Sequence, residues 1–249
     1  MSPKIDLNID FKSEKIKKVQ ELLADPKKKF IIVDGVIGAG KTTVISLIEK
    51  EINNETNKET NKYGKLKIKA IYEPVKLWND TGVLHYFYKD IPKHCYEFQT
   101  YSFITRIESV IEELYNNQDA DVYILERSIW TDKYIFLELL KDLIGELRMT
   151  MYNKWWTMWS YIMPMRVDKW VLLDTSLEES LKRINTRNRD GETAIDKEYQ
   201  TNLYIKHIEF YDTLKKENKP VIIIDSSIMD TNLMIDNDKV VQIIDTILN

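Results

Sequence analysis

The sequence predicts an α/β fold: a three-layer αβα domain whose five-stranded parallel sheet carries helices on both faces. Two observations predict it. Five short apolar runs, at residues 28–33, 67–72, 121–125, 168–173 and 221–224, alternate with segments of helical periodicity. Such βαβ alternation builds parallel sheets. Each run also ends at or just before a polar or charged residue, and in open parallel sheets ligands gather at the carboxyl ends of the strands.

The first run opens the most informative stretch. Phe30-Ile31-Ile32-Val33-Asp34 leads into Gly35-Val36-Ile37-Gly38-Ala39-Gly40-Lys41-Thr42, with the spacing G-x-x-x-x-G-K-T of a phosphate-binding P-loop. Gly35, Gly38 and Gly40 let the backbone curl so that successive N–H groups converge on phosphate oxygens. Lys41 brings a point charge for the β- and γ-phosphates, the Thr42 hydroxyl can ligate Mg²⁺, and Thr43 completes the nucleotide-binding set. Val44, Leu47, Ile48 and Ile52 recur at helical spacing over 42–52, so the motif sits between a strand and a helix, as its chemistry requires. The loop is expected to be exposed at the strand end. This pattern implies a nucleoside triphosphate ligand.

Before the first strand, Ile16, Val19, Leu22 and Leu23 mark the apolar face of a short helix. It belongs to an N-terminal extension, residues 1–27, packed on a P-loop domain of residues 28–249. Asp6, Asp10, Glu14, Glu21 and Asp25 speak against an organelle transit peptide, which avoids acids. Residues 53–65 read as a polar, low-complexity connection. Within 137–165, Leu139, Leu140, Leu143, Leu147, Met151, Trp155, Trp159 and Ile162 recur every three or four residues, a stripe suited to core or to a dimer seam. No uninterrupted apolar run reaches membrane-spanning length. Thirty-six basic against 40 acidic residues, a net charge of −4, argues against a nucleic-acid polymer as partner. The single cysteine, Cys95, rules out an internal disulfide and reads as an inert buried thiol of a cytoplasmic protein.

Three further segments carry candidate chemistry. Tyr72-Glu73-Pro74 ends the second run, where a carboxylate could take the proton of an acceptor hydroxyl during phosphoryl transfer; a surface glutamate before a turn is the plainer alternative. Glu126-Arg127-Ser128 ends the third. There an acid can hold Mg²⁺ and an arginine can bridge donor phosphate and acceptor oxygen, or the two can form an ordinary surface ion pair. Arg183, Arg187, Arg189 and Glu192 lie within ten residues. They form either a solvated helix end or, given the P-loop, an arginine-rich lid over about 183–197.

Together with Glu73-Pro74-Val75 and Trp78, Phe98-Gln99-Thr100-Tyr101 and Arg106, Asp132 with Tyr134-Ile135-Phe136, and Tyr199 with Leu203 and His207, these segments resemble the deoxynucleoside kinase family. That family includes deoxycytidine, deoxyguanosine and mitochondrial thymidine kinases, and the resemblance spans about residues 28–226. It implies ATP-dependent 5′-phosphorylation of a deoxynucleoside with Mg²⁺. Glu73 would be the general base, Arg127 would stand near the 5′-oxygen, and Lys41, Arg183, Arg187 and Arg189 would hold the donor phosphates. Tyr88 and Glu192 would grip the sugar 3′-hydroxyl, and Gln99 would read the base edge. Ile37, Trp78, Leu84, Phe87, Phe98 and Phe136 would form the base slot, and Asp225 would lie near the donor's adenine.

The resemblance also implies that Arg106 and Asp132 select a purine deoxynucleoside or deoxycytidine over thymidine. Thymine has no exocyclic amino group to donate to an ion-paired aspartate, and its methyl would need the space the pair occupies. Ser102-Phe103 leans toward the purine side. A homodimer is implied, joined through Tyr101, Ile104, Ile107 and Ile111 with Trp155 and Trp159. Two other readings stand beside this one: a thymidylate-type nucleoside monophosphate kinase, and a non-catalytic relative of the kind found in respiratory complex I. The first would need arginines rather than Glu73 at the second strand, and the second would have no need of Lys41, Glu73, Arg127 and the lid together.

Overall fold

The computed structural model describes residues 14–53, 63, 65–187, 195–226 and 237–248. The chain opens with α1 (Glu14–Ala24), β1 (Lys29–Asp34), α2 (Lys41–Asn53) and β2 (Ile68–Ile71). Two short helices follow, α3 (Val75–Asp80) and α4 (Val83–Lys89), then the long α5 (Ile91–Asn116) and β3 (Val122–Glu126). A single turn, α6 (Ile129–Thr131), runs into a π-helical turn at Asp132–Leu137, α7 (Lys141–Ile144) and α8 (Glu146–Ile162). The chain then makes β4 (Lys169–Asp174), α9 (Leu177–Arg187), α10 (Lys197–Lys216), β5 (Val221–Asp225) and α11 (Asn237–Leu248).

The sheet order is β2-β3-β1-β4-β5, every pair parallel. β1 is central, with Val33 opposite Glu126 of β3 and Asp34 opposite Leu172 of β4. Because both faces of the sheet are covered, β1 and β3 are buried almost throughout rather than alternately. Phe30, Ile32, Tyr123, Leu125, Trp170 and Leu172 point into one core with α1, α5 and α10. Their neighbours Ile31, Val33, Val122, Ile124, Val171 and Leu173 point into the other, under α2 and α11. The three layers predicted from the alternation are these.

Three details matter. First, α1 packs on the domain through its apolar face, as expected, and joins the main core. Val19, Leu22 and Leu23 are buried in it, Gln20 donates to the Ile162 carbonyl at 2.7 Å, and the Arg166 guanidinium donates to the Asp25 carbonyl. Second, the apolar stripe of 137–165 is not one helix. Gly145, at φ +80°, ends α7 and sets off α8, because only a residue without Cβ takes that conformation cheaply. Leu140 and Ile144 fall into the core, whereas Leu143, Leu147, Met151, Trp155 and Met158 remain exposed on the surface. Third, the P-loop is buried. Residues 35–39 are all buried, and a Cβ at Gly38 would lie 2.6 Å from the Ser180 carbonyl oxygen, so α9 sits directly on the loop.

Candidate active site

A cavity of about 190 Å³ opens at the carboxyl ends of β1, β2 and β3. Its phosphate side is the P-loop: Ile37, Gly38, Lys41 and Thr42. Its other side comes from α3, α4 and α5, with Trp78, Leu84, Tyr88, Phe98, Gln99, Ser102 and Arg106, while Glu73, Glu126, Arg127, Asp132, Phe136 and Arg187 complete the wall. α5 can present Phe98, Gln99, Ser102 and Arg106 together because they recur at three- and four-residue spacing. Its start is set by Asp90, whose side chain caps Lys93 N, and by Pro92 in the first turn.

At the phosphate side, Lys41 Nζ donates to the Gly35 and Val36 carbonyls at 3.1 and 3.0 Å. Burial, aided by the Arg127 charge, lowers its pKa to about 8 despite Glu126 and Glu73 nearby. Thr42 Oγ1 donates to Glu126 Oε1 at 2.7 Å. Burial and the charge of Glu73 push the Glu126 carboxyl above its ordinary range, with Lys41 and Thr42 offsetting part of that. Two hard oxygen donors side by side, one a carboxylate whose charge is disfavoured until a cation joins it, fit a Mg²⁺ that takes most of its ligands from phosphate and water. Among the described residues no cluster of three or more metal-ligating side chains exists.

At the centre, Glu73 Oε1 accepts from Arg106 Nη2 at 2.8 Å and lies 3.4 Å from Arg127 Nε. Its Oε2 makes no hydrogen bond among the described residues. Burial would raise the Glu73 pKa, but Arg127, Arg106 and Lys41 outweigh it and hold the carboxylate ionised. Arg106 also grips Asp132 in a two-point fork, Nε to Oδ2 at 2.8 Å and Nη2 to Oδ1 at 3.0 Å, and donates to the Glu126 carbonyl at 3.2 Å. Burial, with the Glu73 charge, pushes the Asp132 carboxyl upward against Arg106. The α5 side of the cavity carries one conspicuous loose end: Gln99 is buried and its Nε2 has no partner. A buried amide N–H left unpaired is costly unless something that enters the cavity accepts from it.

The local backbone aims these groups. Arg127 sits at φ +65°, a left-handed conformation that costs a residue with a side chain about 1–3 kcal/mol. Its N–H nonetheless bonds the Val33 carbonyl at 3.0 Å. Ser128 and Thr131 then form a capping box that starts α6. The π turn, a form that often marks functional sites, brings both Asp132 and Phe136 to the wall. The Arg127 guanidinium lies 4.7 Å from the centroid of the Phe136 ring.

Most of the residues expected from sequence converge here, with two corrections. Phe87 does not line the cavity; it is fully buried behind Phe98, stacked on it at 4.5 Å. Lys41 and its loop are buried rather than exposed, for the reason given by Gly38 and Ser180. Gly35 and Gly40 lie in the loop and Thr43 in the first turn of α2, none of them on the cavity wall. Arg183 and Asp225 lie off the cavity, at the β5 side. There Arg183 bonds Glu179, the Ala39 carbonyl and the Ser226 carbonyl, and Asp225 ends β5. Arg189 and Glu192 lie outside the described residues, with the rest of 188–194 in the middle of the lid; Arg187 at the end of α9 reaches the cavity.

Sequence reading missed two structural supports. Asp34 is completely buried and accepts from Gly35 N, Thr131 Oγ1 and Arg127 Nη1. An acid closing an otherwise apolar strand was the available signal. Gln200 donates to the Ile37 carbonyl and to Ser180 Oγ, both at 2.6 Å, tying α9 and α10 to the P-loop. Nothing in the local sequence marks it.

Comparison with known proteins places the chain in a family. The family model described as "Deoxynucleoside kinase" matches residues 31–249. A probable deoxycytidine kinase of fowlpox virus (strain NVSL) is 31% identical over 181 residues, covering 72% of this chain and 70% of that one. Deoxycytidine kinase 2 of Gallus gallus is 25% identical over 239 residues, covering 85% of each. A deoxyadenosine kinase of Dictyostelium discoideum is 30% identical over 188 residues, covering 75% of this chain and 68% of its own. With a P-loop, a buried carboxylate and an apolar slot meeting in one cavity, and a family match over nearly its whole length, the chain belongs to the deoxynucleoside kinases, a phosphotransferase family.

Proposed function

We propose that this protein transfers the γ-phosphoryl group of ATP, or of another nucleoside triphosphate, to the 5′-hydroxyl of a 2′-deoxynucleoside. The observation that carries the proposal is the position of Glu73 in one cavity, between the P-loop residues Lys41 and Thr42 and the slot holding the unpartnered Gln99 amide. The slot takes the base, with Trp78, Leu84, Phe98 and Phe136 around it and Gln99 offering both a donor and an acceptor to its edge. Tyr88 lies where the sugar would pass. With Oε1 engaged by arginine, Glu73 keeps Oε2 to accept the 5′-hydroxyl proton as the oxygen attacks phosphorus. Arg127, Lys41 and Arg187 stabilise charge on the transferring group. Mg²⁺, held by Thr42 and Glu126, would neutralise charge across the β- and γ-phosphates.

The Arg106–Asp132 pair supports a base with an exocyclic amino group, a purine or cytosine, over thymine. The exposed Ile104 of α5 and Leu147, Met151, Trp155 and Met158 of α8 support a homodimer, since apolar surface of this kind is usually covered. No helix among the described residues is long and apolar enough to cross a membrane, and with one buried thiol a cytoplasmic site suits the chain.

The test is turnover of MgATP without acceptor, with each of the four deoxynucleosides, and with thymidylate. Monophosphate formation from a deoxynucleoside, fastest with deoxyadenosine, deoxyguanosine or deoxycytidine, is expected. Activity on thymidylate alone, or none with any acceptor, refutes the proposal.

A further inference from the structure

His207 lies on α10, outside the cavity wall, yet it is bound to one of the cavity's working side chains. The ring is buried. Nδ1 is 2.8 Å from the Leu203 carbonyl oxygen, one turn back on the same helix, which can only accept; Nδ1 therefore carries the proton. Burial lowers the pKa of the imidazole against the pull of Asp34, so the ring is neutral. Nε2 is then a lone pair.

That lone pair belongs to a triangle. Arg127 Nη1 is 2.9 Å from Asp34 Oδ1 and 3.2 Å from His207 Nε2, and those two atoms are 3.2 Å apart. The two hydrogens of Nη1 thus go one to each acceptor. Nε of the same guanidinium faces Glu73 Oε1, and its plane rests on Phe136. The edge of that ring meets the His207 imidazole at 6.3 Å between centroids. Among the described residues neither Nε nor Nη2 makes a hydrogen bond, but Nε is engaged in the ion pair with Glu73, which leaves Nη2 as the nitrogen without a polar partner there. Asp34 cannot hold the fork alone, because it also serves Gly35 N and Thr131 Oγ1, and a single acceptor leaves a guanidinium free to rotate about the shared bond.

We propose that His207 is a positioning residue for phosphoryl transfer: its Nε2 accepts one hydrogen of Arg127 Nη1 so that, with Asp34 taking the other, Nη2 is presented to the reacting oxygens. This rests on the role given to Arg127 above. It explains why a histidine stands here, since few side chains can donate backward to their own helix and accept forward from an arginine at once.

The experiment compares His207→Gln, His207→Asn and Arg127→Ala in the full chain, with MgATP and the best of the four deoxynucleosides. The Gln amide oxygen reaches about as far as Nε2; the Asn amide matches Nδ1 and keeps the bond to Leu203 without reaching Arg127. His207→Asn should lower kcat by about 10–100-fold, the scale of a small misplacement of a catalytic group, with the nucleoside KM within about threefold. His207→Gln should restore kcat to within about threefold of the parent. Equal kcat in the Gln and Asn variants, or a loss confined to KM, overturns the positioning role. If Arg127→Ala itself keeps its kcat, the assignment of Arg127 fails first. Thermal melts on all three separate folding from function, and the Gln–Asn contrast decides even where both melt early.

Discussion

Arg106 Nη2 donates to Glu73 Oε1 at 2.8 Å while the same guanidinium holds Asp132 through Nε and Nη2. One arginine therefore joins two carboxylates of the same cavity. On the proposed function these are the group facing the nucleobase and the acceptor of the hydroxyl proton, so a change at one end would be felt at the other.

Removing either partner of the Arg106–Asp132 pair strands a buried charge, at about 3–5 kcal/mol. Arg106→Met and Asp132→Ala should each lose activity on every nucleoside and melt early. The double variant should recover folding and open room for a 5-methyl group. Its kcat/KM for thymidine relative to deoxycytidine should rise by at least about 100-fold, although absolute efficiency falls because Glu73 has lost one of its two arginines. Efficiencies on four deoxynucleosides for the three variants check this. An unchanged ratio in the double variant counts against the base code.

Glu73→Gln retains shape but cannot take a proton. Its kcat should fall about 10²–10⁴-fold with nucleoside binding little altered. Direct binding titration beside steady-state kinetics separates the two. A weaker Kd with intact kcat would make Glu73 a binding residue.

Lys41 carries an opposite pair of expectations. In the unfolded chain a lysine holds its proton to about pH 10.4, whereas the folded Lys41 releases it near 8. The unfolded state binds more protons between those values, so stability rises with pH from about 8 to about 10.4. At neutral pH the charged, buried lysine is a liability to the fold. Lys41→Met should thus lose turnover by about 10³-fold or more yet melt no lower than the parent at pH 7. Melting curves at pH 7 and 10 should converge in the variant and differ in the parent.

The α8 surface gives a test of assembly. Met151→Asp with Trp155→Asp should convert a dimer to a monomer in sedimentation at micromolar concentration, without disturbing the cavity. Ile107 and Ile111, first expected at the same seam, are buried within the subunit and should destabilise it when made polar. A parent chain that sediments as a monomer removes the dimer from the proposal.

The elements legible from sequence are those whose signals are local. All five strands lie within a residue of the predicted runs at most ends, because continuous apolar stretches between turn signals are hard to place otherwise. Lys41, Glu73 and Arg127 stood out as candidates for a second reason, since each sits at a strand end or in a motif with fixed spacing, whereas Gln99 was marked only by the family resemblance. What was hidden depends on distance or backbone shape. Asp34 and His207 are 173 residues apart, and neither the acid that closes β1 nor the histidine of the α10 motif shows by itself that the two meet. Phe87 was misplaced by one layer, since an aromatic beside the slot and one in it share the same helical periodicity. The division of the 137–165 stripe turned on Gly145, whose break is visible in sequence but whose effect on facing is not.

The wide turn at Asp132–Leu137 has a consequence for how this pocket could change. A π turn amounts to one residue more than an α-helix needs over the same stretch. Deleting a single residue there would let an ordinary helix form between the same flanks and would re-aim the side chains of the turn itself. Asp132 or Phe136 would then leave the wall without any wall residue being replaced. Substitutions elsewhere in the slot trade one side chain for another. Here, a change in length alone would redraw the nucleobase site, so variation among natural or engineered forms is best sought in insertions and deletions at this turn.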